Sequence, residues 1–164
     1  MAAGNQLAER FKMIRAHYKK HAPQIVRSDA WDLDPYEWDV SGTGISLSPI
    51  ETAIWLDIRA EGAVFYPQFP VGRFFVDFAN PVAKVAIECD GAAWHSDKAR
   101  DESRQAEIER MGWSVYRISG KDCKTDSGPY YDERGELVSS LGAARAFIKQ
   151  ICAAHPVSFL SHDR

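Results

Sequence analysis

Cysteine is scarce in this chain. Three occur, Cys89, Cys123 and Cys152, far apart and with no CxxC pair. That argues against a disulfide framework and against a cysteine-rich zinc site; three small thiols in or beside a core account for them. No apolar run is long enough to cross a bilayer. The N-terminus lacks the basic start, apolar stretch and small-residue cleavage site of a signal peptide. The expectation is a cytoplasmic protein without membrane contact. A strong excess of one charge is missing as well: 20 Lys and Arg stand against 23 Asp and Glu, a balance of -3, which does not mark the chain as a whole as a nucleic-acid binder. Internal repeats and low-complexity segments are absent.

What is present reads as a folded α/β protein. A length of 164 residues with 45% hydrophobic and 26% charged residues supports one domain with a real core and a short extra arm. The charge is unevenly spread. Residues 1–27 hold six basic residues and one acidic, whereas 28–47 hold five acidic and none basic. Any contact with nucleic acid must therefore be local. Leu7, Phe11, Ile14 and Tyr18 recur at helical spacing and predict a helix over 5–20. Arg10, Lys12, Arg15, Lys19 and Lys20 lie on its other faces, either as phosphate contacts or as a solvated surface. Trp31, Tyr36 and Trp38 pin the acidic stretch that follows, read as an ordered linker. The division is thus an arm and linker over 1–47 and a main domain over 48–164.

The main domain opens with Ser48-Pro49-Ile50-Glu51, a capping box with proline at the first helical position. It predicts a helix over 49–61, stopped at Gly62. Strands are expected at Ala63–Tyr66, Arg73–Ala79 and Lys84–Asp90, the last two joined through the Asn80-Pro81 turn as an antiparallel hairpin. A helix over 97–111, capped by Ser96 and ended by Gly112, leads to a fourth strand at Trp113–Ile118. Residues 119–135 read as loop, 137–153 as a final helix, and the last ten as a tail. Three meandering strands and a helical crossover to a fourth make a mixed sheet flanked by helices.

Side chains alternate across a strand. That puts Phe75, Asp77 and Ala79 on one face of the second strand, opposite Phe74, Val76 and Phe78. Ala86, Glu88 and Asp90 share a face of the third, opposite Val85, Ile87 and Cys89. Ionised carboxylates in an apolar sheet need a partner or a cation. Within these strands only Arg73 and Lys84, at their starts, carry positive charge. A divalent cation among Asp77, Glu88 and Asp90 resolves the repulsion, and hard ions such as Mg²⁺ favour such oxygen ligands. Taken singly, Asp77 or Asp90-Gly91 suits a turn; taken together they indicate a site. Glu51 is explained by its capping box alone but stands near enough in the fold to join. His95, a few residues past two acids, fits a general acid/base or phosphate-positioning role.

The run Arg73-Phe74-Phe75-Val76-Asp77-Phe78-Ala79, followed by Val85-Ala86-Ile87-Glu88-Cys89-Asp90-Gly91 and Trp94-His95, resembles the PD-(D/E)xK nuclease superfamily. The closest likeness is to very-short-patch repair endonucleases and related small bacterial and phage proteins. Ser48-Pro49-Ile50-Glu51 and Gly112-Trp113-Ser114-Val115-Tyr116-Arg117 resemble flanking blocks of that branch, so the likeness spans about 48–124. It implies a restriction-endonuclease-like core with four strands, Mg²⁺ (or Mn²⁺) dependence and hydrolysis of phosphodiester bonds, in DNA first of all. Asp77 matches the PD aspartate and Glu88 the second acid. Asp90 stands where the family's lysine is usual. Related homing endonucleases carry a Glu-x-Asp, His, Asp series that Glu88, Asp90, His95 and Asp101 echo, although Asp101 equally suits an ion pair with Arg104. Arg117, Lys121, Arg15, Lys19 and Lys20 are the expected nucleic-acid contacts. A single site cuts both strands only as a homodimer or in two events. The alternatives are an RNA-cleaving enzyme and a nuclease-like binding module without activity.

Overall fold

The computed structural model describes residues 2–27, 47–91, 97–124, 130–131, 133–138 and 142–158. The acidic linker anchors Trp31, Tyr36 and Trp38, and the segment holding Trp94, His95 and Ser96, lie outside them.

Helix α1 (Ala2–Arg27) comes first and runs further in both directions than its apolar spacing suggested. Helix α2 (Pro49–Ala60) starts as the capping box requires. Glu51 N–H donates to Ser48 Oγ, and Ser48 N–H donates to Glu51 Oε2 at 2.6 Å. Strands β1 (Tyr66–Val71), β2 (Phe74–Asn80) and β3 (Val85–Asp90) form an antiparallel meander. Helix α3 (Lys98–Arg110) crosses back to β4 (Ser114–Ser119), which pairs parallel with β3. The sheet order is β1-β2-β3-β4. A four-residue helix α4 (Gly120–Cys123), a small ribbon of β5 (Tyr130–Tyr131) and β6 (Leu137–Val138), and helix α5 (Ala143–Ala154) complete it. This is the mixed four-stranded α/β sheet expected from the sequence.

Several boundaries differ, each for a tertiary reason. The first strand begins at Tyr66, because Ala63 bridges Ser158 and Val64 N–H donates to Val157 O at 2.7 Å. It then continues through Pro67 and Pro70. Proline costs a ladder bond only on a side with a neighbour, and β1 is an edge strand. Asp97, not Ser96, caps α3, accepting from Arg100 N–H at 3.1 Å. Leu137 and Val138 pair with β5, so the last helix starts only after Gly142. Residues 155–158 are no tail: Val157 is fully buried, and His155 Nε2 lies 2.7 Å from the Tyr116 hydroxyl.

One face of the sheet carries α2 and α5. Ile54, Trp55 and Ile58 pack with Ile148 and Ile151 onto Phe78, Val85, Ile87 and Cys89. The Trp55 and Phe78 rings stack at 5.7 Å. Another cluster joins Ile108 of α3 to Val71, Val76, Ala79 and Ala86. A further cluster seats Ile14, Tyr18 and Ile25 of α1 on Val64, Tyr66 and Phe75, and Phe69 packs against both of these last two.

Candidate active site

The site is built on an interruption of the sheet. On β3 the expected alternation holds: Val85, Ile87 and Cys89 face α2 and α5, while Ala86 packs with α3. On β2 it does not. Phe78 faces α2, but Val76 and Ala79 both pack with α3, which strict alternation forbids. The change of phase falls at Asp77. The β2–β3 ladder runs Asn80↔Val85, Ala79↔Ala86, Phe78↔Ile87 and then stops. Beyond it, Cys89 N–H donates instead to the Asp77 side chain, reaching Oδ2 at 2.7 Å. Placing Asp77, Glu88 and Asp90 together by face-matching is therefore corrected in one respect: Asp77 does not sit on a regular strand face.

Burial raises the Asp77 carboxyl well above the usual carboxylate range, and the nearby charges of Glu88 and Glu51 push it the same way. The Cys89 amide opposes this by stabilising the anion, and a hydrogen bond shared with Glu51 adds to the rise. Glu51 thus serves twice, as the N3 member of the α2 capping box and as a carboxyl partner of Asp77. Close carboxyls repel when both are ionised, which is why Glu51 adds to the rise at Asp77. Next to them the Cys89 thiol hydrogen-bonds to Cys123, which raises the proton affinity of Cys89 and lowers that of Cys123. Both are free thiols, as the spacing of the cysteines predicts.

Glu88 and Asp90 are each met by a guanidinium that the strands themselves do not supply. Arg104 of α3 pairs with Glu88 Oε1, donates to Phe75 O at 2.6 Å and lies over the Phe74 ring. Arg117 of β4 pairs with Asp90 Oδ1 at 3.0 Å and donates to Gln105 Oε1 at 2.6 Å. Two expectations change. Arg104 serves Glu88 rather than Asp101. The positive charge sought within β2 and β3 arrives from α3 and β4. Arg104 and Gln105 are the residues that sequence reasoning missed. A signal existed: Arg104 lies four residues before Ile108, the buried anchor of α3, so it shares the sheet-facing side of the helix.

Among the described residues, no group of three or more His, Cys, Asp and Glu side chains converges as a metal site. The donor chemistry at Asp77 nonetheless fits a hard divalent cation. Asp77, Glu51 and Glu88 offer only carboxylate oxygens, and their mutual repulsion already raises Asp77. Glu88 and Asp90 fit less well than Asp77 and Glu51, being engaged by Arg104 and Arg117.

Other expected contacts are scattered. Arg15 donates to Gly72 O at 2.9 Å and lies over the Phe75 ring, so it ties α1 to the sheet. Lys19 and Lys20 are exposed on α1, and Lys121 is exposed on α4. Helix α4 starts against the end of β3: a Cβ at Gly120 would meet Asp90 O at 3.2 Å, a close approach that glycine permits. No helix among the described residues is long and apolar enough to cross a membrane.

Comparison with known proteins agrees with the core. The model of the family REase_MTES_1575 matches residues 51–132, from the Glu51 cap through β5. The uncharacterized protein YcjD of Escherichia coli (strain K12) is 35% identical over 82 residues, covering 47% of this chain and 70% of that protein. The catalytic domain of the homing endonuclease I-Bth0305I is structurally similar with a TM-score of 0.40 and 22% identity, over 46% of this chain and 80% of that one. The chain belongs to the restriction-endonuclease-like family REase_MTES_1575 and has a nuclease-like fold.

Proposed function

We propose that the protein is an endonuclease that hydrolyses phosphodiester bonds in DNA at Asp77, with Mg²⁺ or Mn²⁺ bound at Asp77, beside Glu51 and Glu88. One observation carries the reading: where the β2–β3 ladder stops, a buried carboxyl, Asp77, is held by the Cys89 amide beside two further acids, and burial and those acids raise its proton affinity. The fold bears that cost where a functional site needs it. When bound, the ion supplies Lewis acidity and an acidified water.

The chain's own residues do the rest. Cys89 N–H fixes Asp77 Oδ2, and the α2 cap fixes Glu51, so both acids are oriented before a ligand arrives. Arg104 fixes the Glu88 side chain while binding its second partner, Phe75 O. Asp90 holds Arg117 in place at the end of β3, beside α4 and Lys121. Arg117 and Lys121, with the basic surface of α1 at Lys19 and Lys20, meet the phosphate backbone, which fixes register without reading sequence. His95 protonates the leaving oxygen. Within the family we place the chain near the very-short-patch repair endonucleases, on the strength of the Glu88-Cys89-Asp90-Gly91 and Trp94-His95 blocks. Cutting both strands then takes a second copy or a second event.

Plasmid nicking with Mg²⁺ or Mn²⁺ tests this on wild type and on Asp77→Ala, Glu88→Ala and Glu51→Gln, with an RNA substrate alongside. Wild type cuts DNA and the three variants fall by about 100-fold or more. Equal activity in all four removes the proposed roles, and cleavage of RNA alone redirects the substrate.

A second reading is favoured by the arginine pairs on Glu88 and Asp90, which neutralise two of the acids without any ion. In that reading the protein grips nucleic acid and does not cut. Binding that persists in EDTA, with no product under any divalent ion, selects it.

A further inference from the structure

Gln68 carries two anomalies at one residue, and the fold explains neither. Its backbone lies at φ 50°, in the left-handed region that residues with side chains rarely adopt. Among the described residues Lys84 is the other such non-glycine residue, but it belongs to the 81–84 turn, where the conformation is ordinary. Gln68 lies inside a strand. The second anomaly is its side-chain oxygen: Oε1 is buried and accepts no hydrogen bond. Almost every buried polar atom in a folded protein is paired, so an exception calls for a reason.

The register supplies one. The β1–β2 ladder is continuous on both sides of Gln68, at Pro67↔Phe78 and Phe69↔Val76. The opposed position that the ladder skips is Gln68 across from Asp77. Directly opposed antiparallel residues bring their Cβ atoms to about 4.5–5.5 Å in a regular ladder. The two irregular residues of these strands thus face each other, one of them the carboxyl at the centre of the acid group. Strained residues persist where surrounding structure over-determines them, and they gather at functional sites. Here the flanking ladder pairs and the fixed φ of Pro67 and Pro70 hold β1 on either side.

We infer that Gln68 is a catalytic residue of this site, its amide oxygen accepting a hydrogen bond from the water that attacks the phosphodiester. The inference rests on the nuclease reading above. Asp77, Glu51 and Glu88 are acceptors when ionised, and so is Gln68 Oε1. A water bounded by acceptors directs both hydrogens at them and keeps a lone pair for phosphorus. Its oxygen bonds to phosphorus as the phosphorus–oxygen bond to the leaving group breaks. One water proton passes to a carboxylate of the group, and the leaving oxygen takes up a proton. An acceptor already stripped of solvent needs no reorganisation when the donor arrives.

The test joins stability to kinetics. Gln68→Gly relieves the backbone and removes the orphaned oxygen, so its Tm in EDTA rises by about 2–4 °C. Its kcat with Mg²⁺ falls by at least about 10-fold while KM stays within about threefold. Gln68→Asn tolerates the backbone but shortens the reach; it melts like wild type and loses kcat likewise. A lower Tm for the glycine variant makes Gln68 a structural residue and overturns the inference, as does either variant cutting at the wild-type rate. If wild type cuts, Asp77→Ala does not and both Gln68 variants match wild type, the nuclease reading stands and Gln68 alone falls. If wild type cuts nothing under any divalent ion, both fall.

Discussion

Asparagine at position 77 removes a charge that the fold holds at a cost and keeps the bond that places the side chain. Asn Oδ1 still accepts from Cys89 N–H, now as a neutral acceptor in place of an ion. That change gives up about 1 kcal/mol, the difference between ionic and neutral hydrogen bonds. Against it stands relief from burial and from the charges of Glu88 and Glu51, and substitutions that release functional-site strain return about 0.5–2 kcal/mol. The sign depends on pH. Folded Asp77 keeps its proton to higher pH than the unfolded chain, where the value is about 3.9. Its contribution to stability is complete below that value and is lost as pH rises through the raised folded one. In EDTA, Asp77→Asn therefore melts with or slightly below wild type at about pH 4 and gains on it steadily above, ending about 2–4 °C higher at about pH 8. Thermal melts across that range, read by circular dichroism, decide the matter. A difference independent of pH, or one that grows toward acid, refutes the account of Asp77 as a buried acid under repulsion. Adding Mg²⁺ extends the test: the ion raises the Tm of wild type and leaves the variant unmoved if Asp77 holds it.

The pairs around the site and the turn behind it give further expectations. Arg104→Ala leaves Glu88 buried without its partner and frees Phe75 O; it lowers stability by about 2–4 kcal/mol in a urea titration, and a loss within error makes the pair dispensable. Asn80→Ala deletes three bonds of a residue 3% exposed, to Val64 O, Val82 N–H and Ala83 N–H. It costs about 2–4 kcal/mol by the same measurement, and an unchanged midpoint refutes the view that this side chain holds the hairpin turn.

Much of the scaffold was legible because its determinants are local. Four consecutive residues, Ser48 to Glu51, spelled the start of α2, and the alternation of faces on β3 was readable, Val85, Ile87 and Cys89 to one side and Ala86 to the other. Asn80-Pro81 announced the hairpin. What stayed hidden depends on residues distant in the chain. The start of β1 is set by Val157 and Ser158, more than ninety positions away. The phase change at Asp77 comes from a β3 amide taken by a side chain, and no spacing within β2 foretells that. The acids could be found from the strands alone, because a carboxylate in an apolar run is conspicuous. Their counter-ions were harder to find: only the spacing from Ile108 marks Arg104, and Arg117 looks like an ordinary strand residue until β4 pairs with β3.

Counting charge across the whole group changes what the missing lysine means. Four carboxyl groups, Glu51, Asp77, Glu88 and Asp90, stand with two guanidinium groups, Arg104 and Arg117. Fully ionised, the set carries two uncompensated negative charges. One proton, retained by Asp77 with its raised carboxyl, offsets half of that, and one divalent ion offsets all of it. The cation that Asp90 displaces from β3 is thus returned from α3 and β4, and the balance left over is that of a single divalent ion. Variants can separate total charge from individual residues. Glu51→Gln lowers the excess from two to one and keeps an acceptor for the Ser48 amide. Its Tm in EDTA rises at about pH 8, and the Tm gain with Mg²⁺ shrinks by more than about half. The double variant Asp90→Asn with Arg117→Gln removes one charge of each sign and leaves the excess at two, so its Mg²⁺-dependent gain stays near the wild-type value. If the double variant loses that gain while Glu51→Gln retains it, the ion is held at Asp90, and the division of the acids between a paired set and an unpaired one is wrong.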